Sequence, residues 1–148
     1  MQRKIIPDVV KRQTISSLKT ENTALEAATL MAKANIGAVI ILDGKGQLIG
    51  IVTERDLTRR VLAKGLDPTK ATLAVIMTKN PDTLSPDDSA VDALELMQAR
   101  NYRHLPIVDG GKCVGMVSVR DLYAAAKQSL EESIRETEAF VFGDRYGA

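Results

Sequence analysis

Aromatic side chains are scarce in this chain of 148 residues, which has no tryptophan, three tyrosines and two phenylalanines (Tyr102, Tyr123, Tyr146, Phe140 and Phe142). Charge of one sign is lacking too: 20 basic residues against 19 acidic ones leave a formal charge of +1. A nucleic-acid platform needs a basic surface and aromatics to stack on, so neither DNA nor RNA is an expected partner. There is one cysteine, Cys113, and one histidine, His104. They exclude an intrachain disulfide and a Cys/His zinc set, and no metal is expected. No apolar run exceeds residues 38–42, far short of the roughly 20 residues of a membrane helix. The first ten residues lack the apolar centre of a secretory signal, so the expected compartment is the cytoplasm. What is present is ordinary for a globular chain: 45% hydrophobic and 26% charged residues, in a length that suits one domain or two small units sharing a core.

The chain repeats itself. Residues 18–57 lie over residues 84–122 with one gap, at a spacing of 66 and then 65. Identities include Leu18 with Leu84, Ala27 with Ala93, Met31 with Met97, Asn35 with Asn101, Asp43 with Asp109, and the triplet Arg55-Asp56-Leu57 with Arg120-Asp121-Leu122. Chance supplies about two or three matches over such a length at average composition. Each copy opens on a short extended segment (residues 15–18 and 82–84). Thr23 and Ser89 then read as N-caps, since a hydroxyl accepts from the free amides of a helix's first turn. The helices run to about Asn35 and Asn101. Two branched apolar runs follow in each copy, around DGKG and DGGK, and read as hairpins. Thr53 and Ser118 open a second helix, the first ending near Gly65, whose missing Cβ suits a left-handed exit. Each copy is therefore β-α-β-β-α.

One such copy leaves a sheet face uncovered and is marginal alone. The expected fold class is α+β: two βαββα motifs packed through their sheets with pseudo-twofold symmetry, plus a C-terminal helical tail. The expected organisation is residues 1–65 as the first motif with its N-terminal segment, residues 66–126 as connector and second motif, and residues 127–148 as a helix and aromatic tail. Residues 73–77 anchor the connector, and Met31, Met97 and Cys113 read as core.

The duplicated unit resembles the cystathionine-β-synthase (CBS) domain pair, or Bateman module. The resemblance rests on the connector VIMTKNP (75–81), the strand RHLPIVD (103–109) and the signatures GIVTERDL (50–57) and GMVSVRDL (115–122), and covers residues 1–126. It implies a regulatory sensor without catalytic activity. The implied ligand is AMP or another adenine nucleotide (ADP, ATP), with NAD(H) or S-adenosylmethionine as further candidates, bound in clefts between the motifs. It further implies a homodimer acting in trans on a client protein. No residue pair demands an enzyme; the competing expectation is a ligand-free dimerisation module of the same fold.

The pattern G-x-x-[ST]-x-x-D supplies the chemistry. Gly50 and Gly115 permit close backbone approach, Thr53 and Ser118 present hydroxyls beside helix amides, and Asp56 and Asp121 bring acceptors for a ribose diol. Arg55 and Arg120 could reach phosphate as forked donors. The same spacing is also an ordinary capping box that needs no ligand. Arg103, His104, Leu105 and Pro106 replace Gly37, Ala38, Val39 and Ile40 of the first copy, so the clefts are unequal; if one alone is occupied, the expected one holds Ser118 and Asp121, while the clefts of the resembled family mix residues of both motifs, which leaves Arg103 and His104 assigned to neither. His104 is either a packed residue or a ligand contact. Ser17 and Thr83 read equally as strand hydroxyls or as the rim that the resemblance places at the adenine. In the tail, Leu130, Ile134 and Val141 make an apolar stripe. With Phe140, Phe142 and Tyr146 it is expected to pack on the module or on a second subunit, the alternative being a docking peptide.

Overall fold

The structure is a computed structural model that describes residues 3–146, with side chains described to residue 141. In the first copy, β1 (Ser17–Leu18), α1 (Ala24–Ala34), β2 (Ala38–Leu42), β3 (Leu48–Thr53) and α2 (Glu54–Leu57) follow in order, and α2 runs on as a wider turn over Thr58–Leu62. The connector contributes α3 (Leu73–Ile76) and β4 (Thr78–Lys79); the second copy contributes α4 (Ala90–Arg100), β5 (His104–Asp109), β6 (Lys112–Ser118) and α5 (Val119–Tyr146). The mixed α+β fold expected from the repeat is the fold found.

Local signals set the boundaries. Thr23 and Ser89 accept from the amides of Glu26 and Asp92 as N-caps, and Asn35 and Asn101 end the helices in the left-handed conformation. The β5–β6 turn places Gly110 and Gly111 at φ 59° and 82°, the mirror-image turn that matches strand twist. β1, β2, β3 and β4 form one sheet in that order, and β5 and β6 a second. Here the copies differ. Ile40 N–H donates to Ser16 O, helping to hold β1 parallel to β2. Its counterpart in the second copy is Pro106, which has no N–H, and the pairing there shrinks to a single parallel bridge, Leu84 to Ile107. The expected first strand of the second copy is thus one residue long.

Each copy has its own core between hairpin and helices: Met31, Val39, Ile41, Val52, Leu73 and Ile76 in the first, Ile5, Met97, Leu105, Ile107, Val117 and Leu122 in the second. Ala38, Ile40 and Ile51, on the opposite face of the first hairpin, are buried as well, and the other copy approaches there: an ideal Cβ on Gly37 would stand 3.1 Å from the His104 ring. The segments preceding the copies are exchanged. The connector packs on the first copy through Leu73 N–H to Asn22 O (2.8 Å) and Asn80 N–H to Ile49 O (3.0 Å). The N-terminal segment, grouped with the first copy by its place in the chain, packs on the second through Ile5 N–H to Asp88 O (2.8 Å) and Gln13 N–H to Val114 O (2.9 Å).

The tail is not a separate element, because α5 continues the second copy's last helix through 28 residues, about 42 Å of rise. Its stripe does not lie on the module. Leu130, Ile134, Phe140 and Val141 are 46–71% exposed, and an ion pair of Arg3 with Glu132 (2.9 Å) ties the helix back. The side chains of Phe142 and Tyr146 lie outside the described residues. Cys113 is half-buried rather than core; loss of solvent pushes its thiol pKa up.

Candidate functional site

Both signature sequences form the capping box that their spacing allows. Thr53 N–H donates to Asp56 Oδ2 (2.9 Å) and Asp56 N–H to Thr53 Oγ1 (3.2 Å); Ser118 and Asp121 repeat this at 2.9 and 3.1 Å. Capping therefore uses one carboxylate oxygen of each aspartate and orients the other. Asp56 Oδ1 faces Arg60 Nε at 3.7 Å, with the Asp56 side chain 14% exposed.

The first box opens into a cavity of about 560 Å³ between the copies, within the 300–1,000 Å³ usual for small-molecule sites. Thr53, Arg55 and Asp56 line one side, and Arg103, His104, Leu105 and Pro106 the other. Seven of the expected site residues thus meet in one place. β5 brings its arginine and histidine into this cavity, beside the box of the opposite copy. Ser118, Arg120 and Asp121 line neither this cavity nor a second one of about 520 Å³, which Ser17, Arg12, Lys112 and Cys113 border. Thr83 is exposed and outside both, although its neighbours Pro81 and Asp82 line the first.

Gly50 and Gly115 stand where the chain packs closely. An ideal Cβ on Gly50 would stand 2.5 Å from Met77 Sδ and 3.2 Å from Thr78 O, and one on Gly115 3.2 Å from Ile107 Cδ1. Neither glycine lines either of these two cavities.

Three further arginines line the first cavity, Arg59, Arg60 and Arg100. The i, i+4 spacing from Arg55 is the sequence signal for Arg59 on the same helical face, while Arg100 shows itself only in the fold. Arg55 donates across the copies to Asn101 O (2.9 Å). Its pKa is lowered, first by lost solvation and then by the positive charges of Arg103 and Arg59. Asp82 lies 3.4 Å from Arg100 Nη1, too poorly aligned for a hydrogen bond, so its buried Oδ2 lacks a hydrogen-bond partner. Tyr102 beside it has a raised pKa, from burial and then from the Asp82 carboxylate.

His104 is half-buried, and its buried Nδ1 has no hydrogen-bond partner. Burial lowers its pKa; Glu54 from the first copy and Asp121 from the second oppose that shift, and Arg103 adds to it. A neutral imidazole, a carboxylate oxygen and several forked cations around one cavity can hold a polar anionic molecule; none of these groups is placed as a nucleophile with its base.

The family model for the CBS domain matches residues 4–63 and 73–128. An uncharacterised protein of Methanopyrus kandleri is 37% identical over 118 residues, which are 79% of this chain and 60% of that protein. The chain spans between 21% and 65% of the length of the curated relatives it matches. Among solved structures, the CBS domain pair of protein MJ0100 in complex with 5'-methylthioadenosine and S-adenosyl-L-methionine is 27% identical, with a TM-score of 0.77 and coverage of 87% of this chain and 99% of that one. The CBS domain protein PAE2072 from Pyrobaculum aerophilum, complexed with AMP, is 30% identical, with a TM-score of 0.70 and coverage of 77% and 86%. With two matched copies, exchanged flanking segments and a cavity between them, the chain belongs to the CBS-domain family, as a tandem pair.

Proposed function

We propose that the cavity between the copies binds an adenine nucleotide and that the chain is a regulatory module, performing no chemistry itself, that reports the nucleotide in trans to a client protein. The observation that carries this reading is the meeting of Thr53, Arg55 and Asp56 from one copy with Arg103, His104, Leu105 and Pro106 from the other. A ribose diol can donate to the Asp56 oxygen left free by the cap, and such charge-assisted bonds contribute about 1.5–3 kcal/mol each. Leu105, Pro106 and Ile51 offer an apolar wall to the base, and Arg55 and Arg103 offer forks to phosphate. The adenosine ligands of the two relatives support the class of ligand. Ser118, Arg120 and Asp121 form the matching box for a second molecule, with Ser17 and Thr83 as candidate rim hydroxyls. A ligand touching both copies biases their arrangement by its differential affinity. The assembly proposed is a homodimer in the cytoplasm; a monomeric mass at micromolar concentration overturns that part.

The test is a thermal-shift panel of AMP, ADP, ATP, NAD, NADH and S-adenosylmethionine on the wild type and on Asp56→Asn. A ligand at 100 times its Kd adds about 2.7 kcal/mol, a rise of about 5–10 °C at this size. The expected result is a shift with at least one nucleotide that Asp56→Asn removes. No shift with any of them, in protein that also carries no nucleotide from purification, leaves the ligand-free dimerisation module as the reading.

A further inference from the structure

We propose that the ligand of this cavity carries two or more phosphates in a chain, so that the site prefers nucleoside di- and triphosphates to monophosphates. This rests on the nucleotide reading above and adds the part of the ligand that the arginines select. Five arginines and three acidic residues line the cavity, but they are not equally committed. Arg60 donates to Ile76 O (2.9 Å) and faces Asp56, and Arg100 pairs with Asp82. Those cations already have their counter-groups.

Arg55, Arg59 and Arg103 do not. None of the ion pairs among the described residues involves them, and the Asn101 carbonyl uses only one nitrogen of Arg55. Arg55 and Arg59 stand one helical turn apart on one face, about 5–6 Å between their Cβ atoms, and Arg103 comes from the opposite copy. Like charges at this spacing destabilise a helix, and Arg103 adds a third positive charge from across the cavity. An anion relieves that repulsion. A single phosphate offers its oxygens at one point, where three guanidiniums from two elements would crowd one another. Successive phosphates along a chain give each fork its own pair of oxygens. A sulfonium nucleoside such as S-adenosylmethionine adds positive charge to the same wall, and a phosphate-free adenosine leaves it uncompensated.

The test is isothermal titration of AMP, ADP and ATP in magnesium-free buffer containing a chelator, at two salt concentrations, with wild type, Arg59→Ala and Arg103→Ala. ADP and ATP are expected to bind at least tenfold tighter than AMP. Either substitution is expected to shrink that ratio below threefold, mostly by weakening ATP, and to flatten the salt dependence of ATP binding. AMP binding as tightly as ATP, or a ratio unchanged in both variants, overturns the proposal and leaves the nucleotide reading standing. Binding of none of the three overturns both.

Discussion

Where the first copy has Ala38, the second has His104, and that one exchange puts an imidazole against Gly37 of the opposite copy. The Nδ1 atom of this half-buried ring is itself buried without a partner, a cost that natural interiors rarely carry without a reason. Its pKa lies below the ordinary histidine value because burial outweighs Glu54 and Asp121. The sign follows: the unfolded chain binds the proton more readily, so stability is full above the unfolded pKa, near 6.5, and is lost as pH falls below it. One proton sets a ceiling of about 1.4 kcal/mol per pH unit. Chemical denaturation at pH 7.5 and 5.5 is expected to show a larger stability loss in the wild type than in His104→Gln. Equal losses would place the pH dependence on other groups. At this scale the sequence was legible where one residue type has one job, as in Gly65, whose expected left-handed exit is found at φ 66°. It was ambiguous where a residue serves two, as in Thr53 and Asp56, whose capping and ligand roles share one geometry.

At the scale of elements, caps, turns and hairpins could be read because each depends on a few adjacent residues. The location of the cavity could not, since it depends on which copy's box receives the side chains at the start of β5, and that is a property of two copies in contact. The tail was legible in part for a related reason: an apolar stripe announces burial, and since in α5 the stripe outruns the module it starts from, a second subunit or a docked client is left as what would cover it. Gly50 shows a motif residue in close contact with the connector. β3 pairs with β4 at Gly50 and Lys79, and the connector's Met77 and Thr78 fill the space a side chain would take. Gly50→Ala must displace the thioether and press on a carbonyl, so a loss of about 1–3 kcal/mol is expected. Gly44→Ala, with nothing within 4 Å of its Cβ position, is the control and is expected to stay within about 0.5 kcal/mol. Urea melts of the two variants decide it, and a neutral Gly50→Ala would return that glycine to the ligand side of the account.

For the molecule as a whole, the exchange of flanking segments matters more than the repeat. Corresponding bonds recur at nearly the same lengths: Ala24 N–H to Ala71 O and Ala90 N–H to Arg3 O at 2.8 Å each, Leu73 N–H to Asn22 O and Ile5 N–H to Asp88 O at 2.8 Å each. Each copy is therefore completed by the segment that precedes the other. Neither half of the chain, divided at the connector, holds all of one core: Ile5 is buried with Met97 and Ile107, and Leu73 with Met31 and Val39. Such crossing couples the copies mechanically, which is what a module needs if a ligand between them is to be felt at both ends. Ile5→Ala and Leu73→Ala each remove a fully buried side chain and are expected to cost about 2–5 kcal/mol. Hydrogen exchange separates their effects. Ile5→Ala, at the start of the chain, is expected to loosen α4, β5 and β6 far from it in sequence, while Leu73→Ala loosens α1, β2 and β3. If Ile5→Ala instead raised exchange mainly in β2 and β3, the N-terminal segment would belong to the first copy after all. The copies would then be joined only by their sheet faces.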